Sequence, residues 1–196
     1  MANVFALHSV GSSIVTLLRN SYPAEEVGRP MPGCSFELVS SGQLAGEIEE
    51  TTHLSLYFYR VTVNEHSRSS RRPAAASDTP APLGLDLHFL LSAWAANPLD
   101  ELVTLAWAMR QLHQFPVLDA SCLSPEAGWD SSEVIQVIPA ELSTEDVMRI
   151  WDALEPAYRL SVSYVARLVH LVPEIPEEGS RPVVARRLDF GTEDAP

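Results

Sequence analysis

The sequence contains no lysine: its thirteen basic residues are all arginine, against twenty-six acidic ones, and the formal net charge is −13. That absence removes the lysine of a phosphate loop and the amine of a Schiff-base mechanism together. The acidic balance argues against general nucleic-acid binding, which draws most of its affinity from phosphate neutralisation, so no nucleic acid is expected among the partners. Cysteine is scarce as well. Cys34 and Cys122 are too few and too far apart for a disulfide framework or a thiolate metal site, and they read as buried small hydrophobes. Nor is there a long apolar run. The opening stretch MANVFALHSVGSSIVTLLRNSYP lacks a basic n-region, and its longest apolar run falls well short of the ~20 residues a membrane-spanning helix needs. No membrane partner and no secretion signal are expected, and synthesis and assembly are expected in the cytoplasm.

What is present is enough for one domain. At 196 residues and 46% hydrophobic content the chain can bury a substantial core, and the pattern divides it into a domain over 1–172 and an extended tail over 173–196. Val10, Ile14, Leu17 and Leu18 fall at helical spacing before Tyr22-Pro23, which predicts an amphipathic N-terminal helix. A Pro/Gly-rich loop leads to a short strand at Cys34–Ser40. The stretch HLSLYFYRVTV, residues 53–63, gives the strongest strand signal, with apolar or aromatic side chains on both faces. The following SRSSRRPAAASDTPAPLG cannot bury enough surface to order itself, and a mobile connection is expected over about 65–83. A second long strand runs through 85–95.

Asn97, Pro98, Asp100 and Glu101 form a helix start, and the helix to about His113 is expected to bury Leu102, Leu105, Ala106, Met109 and Leu112. Residues 133–138 read as a strand. Ser143 with Asp146 opens a short amphipathic helix carrying Val147, Ile150, Trp151 and Leu154. A long strand over 158–172 alternates Leu160, Val162, Tyr164, Ala166 and Leu168 against Ser161, Ser163, Val165, Arg167 and Val169. The order of elements predicts an α+β domain: a mixed, mostly antiparallel sheet with helices packed on one side.

Chemical constellations are thin. Asp86 and His88 share a strand face, a geometry open to a metal or to acid–base work, and they carry the rival reading of a soluble ligand-binding or hydrolytic enzyme. No third ligand sits at a recognisable spacing, so a structural hydrogen-bonding role is preferred and no metal is expected. No nucleophile elbow and no dinucleotide-binding glycine turn occurs, and no cofactor or catalytic residue is expected. Arg68, Arg71 and Arg72 form a basic group, a candidate contact for phosphate, carboxylate or an acidic partner surface.

Five blocks, HSVGSSIVTLLRNSYP, HLSLYFYRVTVNEH, LGLDLHFLLSAWA, ELVTLAWAMRQLHQFPVL and VIPAELSTEDVMRIWDALEPAYRLSVSYVARLV, together resemble the N-terminal domain of the cap proteins of extracellular contractile injection systems, from about Phe5 to Leu171. The resemblance implies a fold like that of phage tail terminators. It further implies a non-enzymatic homohexameric ring on the last disc of the inner tube, contacting the final sheath layer and ending polymerisation. Within that frame the tail, where Val183, Ala185 and Arg187 alternate with Val184, Arg186 and Leu188, is a candidate arm that adds a strand to a neighbouring subunit.

Overall fold

The computed structural model describes residues 2–44, 52–64, 82–154 and 156–172. Three helices and six sheet strands carry the argument. They are α1 (Ala6–Ser21), β1 (Ser35–Leu38), β2 (His53–Val63), β3 (Leu83–Trp94), α2 (Pro98–Gln114), β4 (Val117–Asp119), β5 (Val134–Pro139), α3 (Thr144–Ala153) and β6 (Ser161–Leu171). The connection containing Arg68, Arg71 and Arg72, and the tail containing Val183 to Leu188, lie outside the described residues.

The strands form one mixed sheet in the order β1-β2-β3-β6-β5-β4. Only β1 and β2 run parallel, and every other neighbouring pair is antiparallel. The fold class is therefore the α+β arrangement that the element order predicts. Ala2 adds a bridge beside Leu171, its amide donating to the His170 carbonyl and its carbonyl accepting from Val172.

Local sequence explains the helix starts. Asn97 accepts from the Asp100 amide with Pro98 at the first helical position, and Ser143 accepts from the Asp146 amide. Each cap satisfies a donor that the helix itself cannot.

Period-two alternation sorts β3 cleanly. Leu85, Leu87, Phe89, Leu91 and Ala93 enter the main core with Leu54 and Leu56 of β2, while Trp94 belongs to a second cluster on the opposite face. Two long helices, α1 and α2, close the first face through Val10, Ile14, Leu18, Leu105 and Leu112. The short α3 is the exception to packing on one side: Trp151 and Leu154 meet Trp94 and Leu44 at one end of the other face.

α1 lies very close to the sheet edge at Gly11, where a Cβ would come within 2.8 Å of Leu38 and of Phe58. Two details depart from expectation. On α2 the buried side carries Thr104, Trp107, Ala108 and Gln111 besides Leu105 and Leu112, and Leu102, Ala106 and Met109 are exposed. Trp107 sits edge-on to Tyr22 and Phe36, and these aromatic contacts rotate the helix away from the face that the smaller residues suggest. On β6 the alternation breaks at Leu168, whose φ is 68°. Val169 pairs with Leu85 and Arg167 with Asp86, so Leu168 is the extra residue of a bulge and Val169 takes the core position. The cysteines differ too: Cys34 is half-buried and Cys122 is exposed.

Candidate functional site

The second face of the sheet carries most of the polar chemistry. At one end Trp94 packs against Trp151, stacks on His53 at 5.4 Å and lies beneath the Arg159 guanidinium. Its indole N–H donates to the Ser55 hydroxyl at 2.8 Å. The polar atom of a buried tryptophan is thereby satisfied inside the sheet.

Toward the middle, Ser92 and Ser161 share a 2.7 Å hydrogen bond, and the Tyr59 and Ser163 hydroxyls approach to 3.0 Å. Beyond them lies the pair singled out by the sequence. Asp86 and His88 do share a strand face, but each is committed elsewhere. The Asp86 carboxylate accepts from the Asn64 amide at 2.9 and 3.1 Å and, more weakly, from the backbone N–H of Leu168 at 3.4 Å. His88 faces the Thr62 hydroxyl at 3.2 Å and lies 6.0 Å from the Tyr59 ring.

Asp86 thus secures the bulge that re-registers β6, a structural task for a carboxylate placed beside a left-handed backbone. Burial, together with the positive charges of Arg60 and Arg167, holds the His88 imidazole below its ordinary pKa, with Asp86 opposing. His88 therefore favours its neutral form. Among the described residues no group of three histidine, cysteine or carboxylate side chains is arranged to hold a metal ion.

The described residues also present apolar contact surface. Along the outer side of α2, Leu99 and Leu102 are 69% and 54% exposed, and Met109 continues the stripe. Next to it a two-stranded hairpin, Glu25–Glu26 and Arg29–Pro30, turns at Val27 and Gly28, both with positive φ. Val27 stands 91% exposed at its tip. A groove of about 440 Å³ between hairpin and helix is lined by Pro30, Met31, Leu99 and Val103, with Glu26 and Asp100 at its rim. Arg110 joins α2 to the hairpin through a two-pronged contact with Glu26 at 2.9 and 3.0 Å.

The sequence reading assigned Leu102 and Met109 to the core and so missed this stripe. Its signal is present in the spacing 99, 102, 106, 109, which is a second helical stripe beside the buried one. A further feature, invisible without pairing, is the outer edge of β2. β1 pairs only with His53 to Leu56, and from Tyr57 to Val63 that side has no strand partner among the described residues.

Comparison with known proteins follows the same line. The Pvc16 N-terminal domain family matches residues 9–185. The fold is similar to the sheath/tube terminator in the extended state of an extracellular contractile injection system, PVC, with a TM-score of 0.57 at 16% identity over 96% of this chain. It is equally similar to the tube-terminating cap of the anti-feeding prophage, with a TM-score of 0.57 at 12% identity over 92% of this chain. The chain spans 64% and 60% of the lengths of those two proteins. No curated protein sequence matches it.

Proposed function

Because this chain belongs to the Pvc16 N-terminal domain family, we propose that it is a non-enzymatic cap that terminates the inner tube of a contractile injection particle. The observation that carries this reading is the likeness of fold, over nearly the whole chain, to two proteins that are themselves tube terminators.

The surface suits the task. A terminator must complement the last tube layer with one surface and refuse the next layer with another. The exposed stripe of Leu99, Leu102 and Met109 and the hairpin tip at Val27 supply apolar contact area, in keeping with a chain that works by assembly. The acidic net charge suits a partner with basic patches.

In finer detail, the chain forms a homohexameric ring on the distal end of the tube, through a heterologous contact that closes by rotation. It anchors the last sheath layer, is assembled in the cytoplasm, and becomes part of a particle that can be released. Arg68, Arg71 and Arg72 are offered to an acidic neighbouring surface. The described helices include none long and apolar enough to cross a membrane.

Gold-labelled purified chain mixed with isolated inner tubes tests the reading. Label at one end of each tube supports it; label along the tube walls, or none on tubes, overturns it.

A further inference from the structure

We infer that the open part of the second sheet face, where Arg60 and Arg167 project, is a docking surface for an acidic polypeptide segment of another protein in the particle, with one carboxylate on each guanidinium. The inference rests on the reading above that the chain works by assembly, and it adds the chemistry of one partner.

Strand register builds the surface. Thr62, Asp86, Arg167, Gln136 and Val117 stand opposite one another in turn across β2, β3, β6, β5 and β4. Residues directly opposite project to the same side of a sheet, so this row crosses the second face over about 19 Å, at ~4.8 Å per strand. In the next row Arg60 stands opposite His88. Arg60, Arg167 and Gln136 are exposed, and Val117 and Val134 beside them are 45% and 50% exposed. The helix α3, on the same face, packs at the other end around Trp94.

The charge on this surface is opposite in sign to that of the whole chain. Acidic residues outnumber arginines two to one, and arginines elsewhere find them: Arg110 pairs with Glu26 and Arg149 with Glu145. Among the described residues Arg60 and Arg167 have no salt bridge. Even Asp86, directly opposite Arg167, commits its carboxylate to the Asn64 amide and the Leu168 backbone N–H. The lowered His88 pKa registers the resulting field. After burial, its causes are the charges of Arg60 and Arg167, with Asp86 opposing.

That field selects an anion, and the layout selects a polypeptide. Two strand spacings and one step of two residues put the Cα atoms of Arg60 and Arg167 about 12 Å apart, with Asp86 between them. A small anion centred there would lie against the Asp86 carboxylate. A segment that crosses the strands instead sets one carboxylate over each guanidinium and lays apolar atoms on Val117 and Val134. Guanidinium–carboxylate contacts are strong and directional, and arginine is enriched where proteins meet. On a chain that is acidic elsewhere, one basic face also fixes which way round the subunit docks.

The test measures binding of the purified full chain to particles assembled without it, comparing wild type with the double variants Arg60→Glu, Arg167→Glu and Arg60→Gln, Arg167→Gln, each checked for fold by hydrogen exchange. The inference predicts that the charge reversal weakens binding to particle ends about tenfold or more, and the glutamine pair by less. Hexaglutamate should compete with wild-type binding, and hexaglutamine should not. In the free wild-type chain, hexaglutamate should raise the His88 pKa read from its ring signals by NMR, and the glutamine pair should abolish that rise. Undiminished binding by both double variants, or a His88 pKa that hexaglutamate leaves unmoved, overturns the inference and leaves the terminator reading standing. Inorganic phosphate competing as well as hexaglutamate overturns the assignment of a polypeptide. A wild-type chain that does not bind particle ends overturns the terminator reading and this inference with it.

Discussion

The two faces of the sheet are built from the same strands and do different work. On the first face Leu85, Leu87, Phe89 and Leu91 meet two long helices, and almost everything there is apolar and enclosed. On the second face, among the described residues, α3 covers the end around Trp94, Leu90 and Val165 are buried as well, and much of the rest is ordered by hydroxyls, an amide and a carboxylate: Ser92 with Ser161, Tyr59 with Ser163, Asn64 with Asp86. Apolar burial is worth about 25 cal/mol per Å² and already fixes which face each residue takes, whereas a hydrogen-bonded network contributes less energy and adds directional specificity. The first face therefore supplies stability, and the second sets the alignment of β2, β3 and β6 that a docking surface requires.

That contrast can be broken most severely at Phe89. It is fully buried, stacked on Tyr164 and edge-on to Phe58, and Phe89→Ala is expected to cost about 3–5 kcal/mol of global stability in denaturant titration. At Trp151 a smaller and local loss is expected, about 1–3 kcal/mol for Trp151→Ala, because α3 covers only one end. Part of the cost is also offset by removing an indole N–H that has no hydrogen-bond partner among the described residues. Hydrogen exchange should rise across Thr144–Ala153 and stay unchanged in β3. Trp151→Phe, which keeps a ring without the N–H, should be close to neutral.

Ser143→Ala removes the cap of the same helix and should cost about 1 kcal/mol, read as the same local rise in exchange. The smallest effect concerns pH. Since the folded state holds His88 below the ordinary histidine pKa, both states are neutral above about pH 6.5 and stability is then complete. As pH falls through that value the unfolded chain takes up the proton first, so stability declines. His88→Gln should shrink the difference between midpoints measured at pH 7.5 and 5.5, while Phe89→Ala leaves that difference as it is.

The contrast also explains what could be read from residues alone. The caps at Asn97 and Ser143 and the strand at 53–63 depend on neighbours within a few positions, and each lies where local chemistry puts it. α2 was readable as a helix but not in its orientation, because it carries two apolar stripes. The choice between them was made by Trp107 meeting Tyr22 and Phe36 from distant parts of the chain. The bulge at Leu168 escaped for a related reason. Alternation counts residues and cannot see that Asp86 and Asn64, across the sheet, hold one extra residue in place. Asp86 and His88 were correctly placed on one face, yet their partners Asn64 and Thr62 come from β2 and its end, and those partners decide what the pair does.

The most direct test of the account is the length distribution of particles by electron microscopy, with and without the gene for this chain. Termination by a cap predicts that its loss gives tubes of uncontrolled length or open distal ends, restored by the intact chain. Particles of unchanged length with closed ends in its absence would contradict the account.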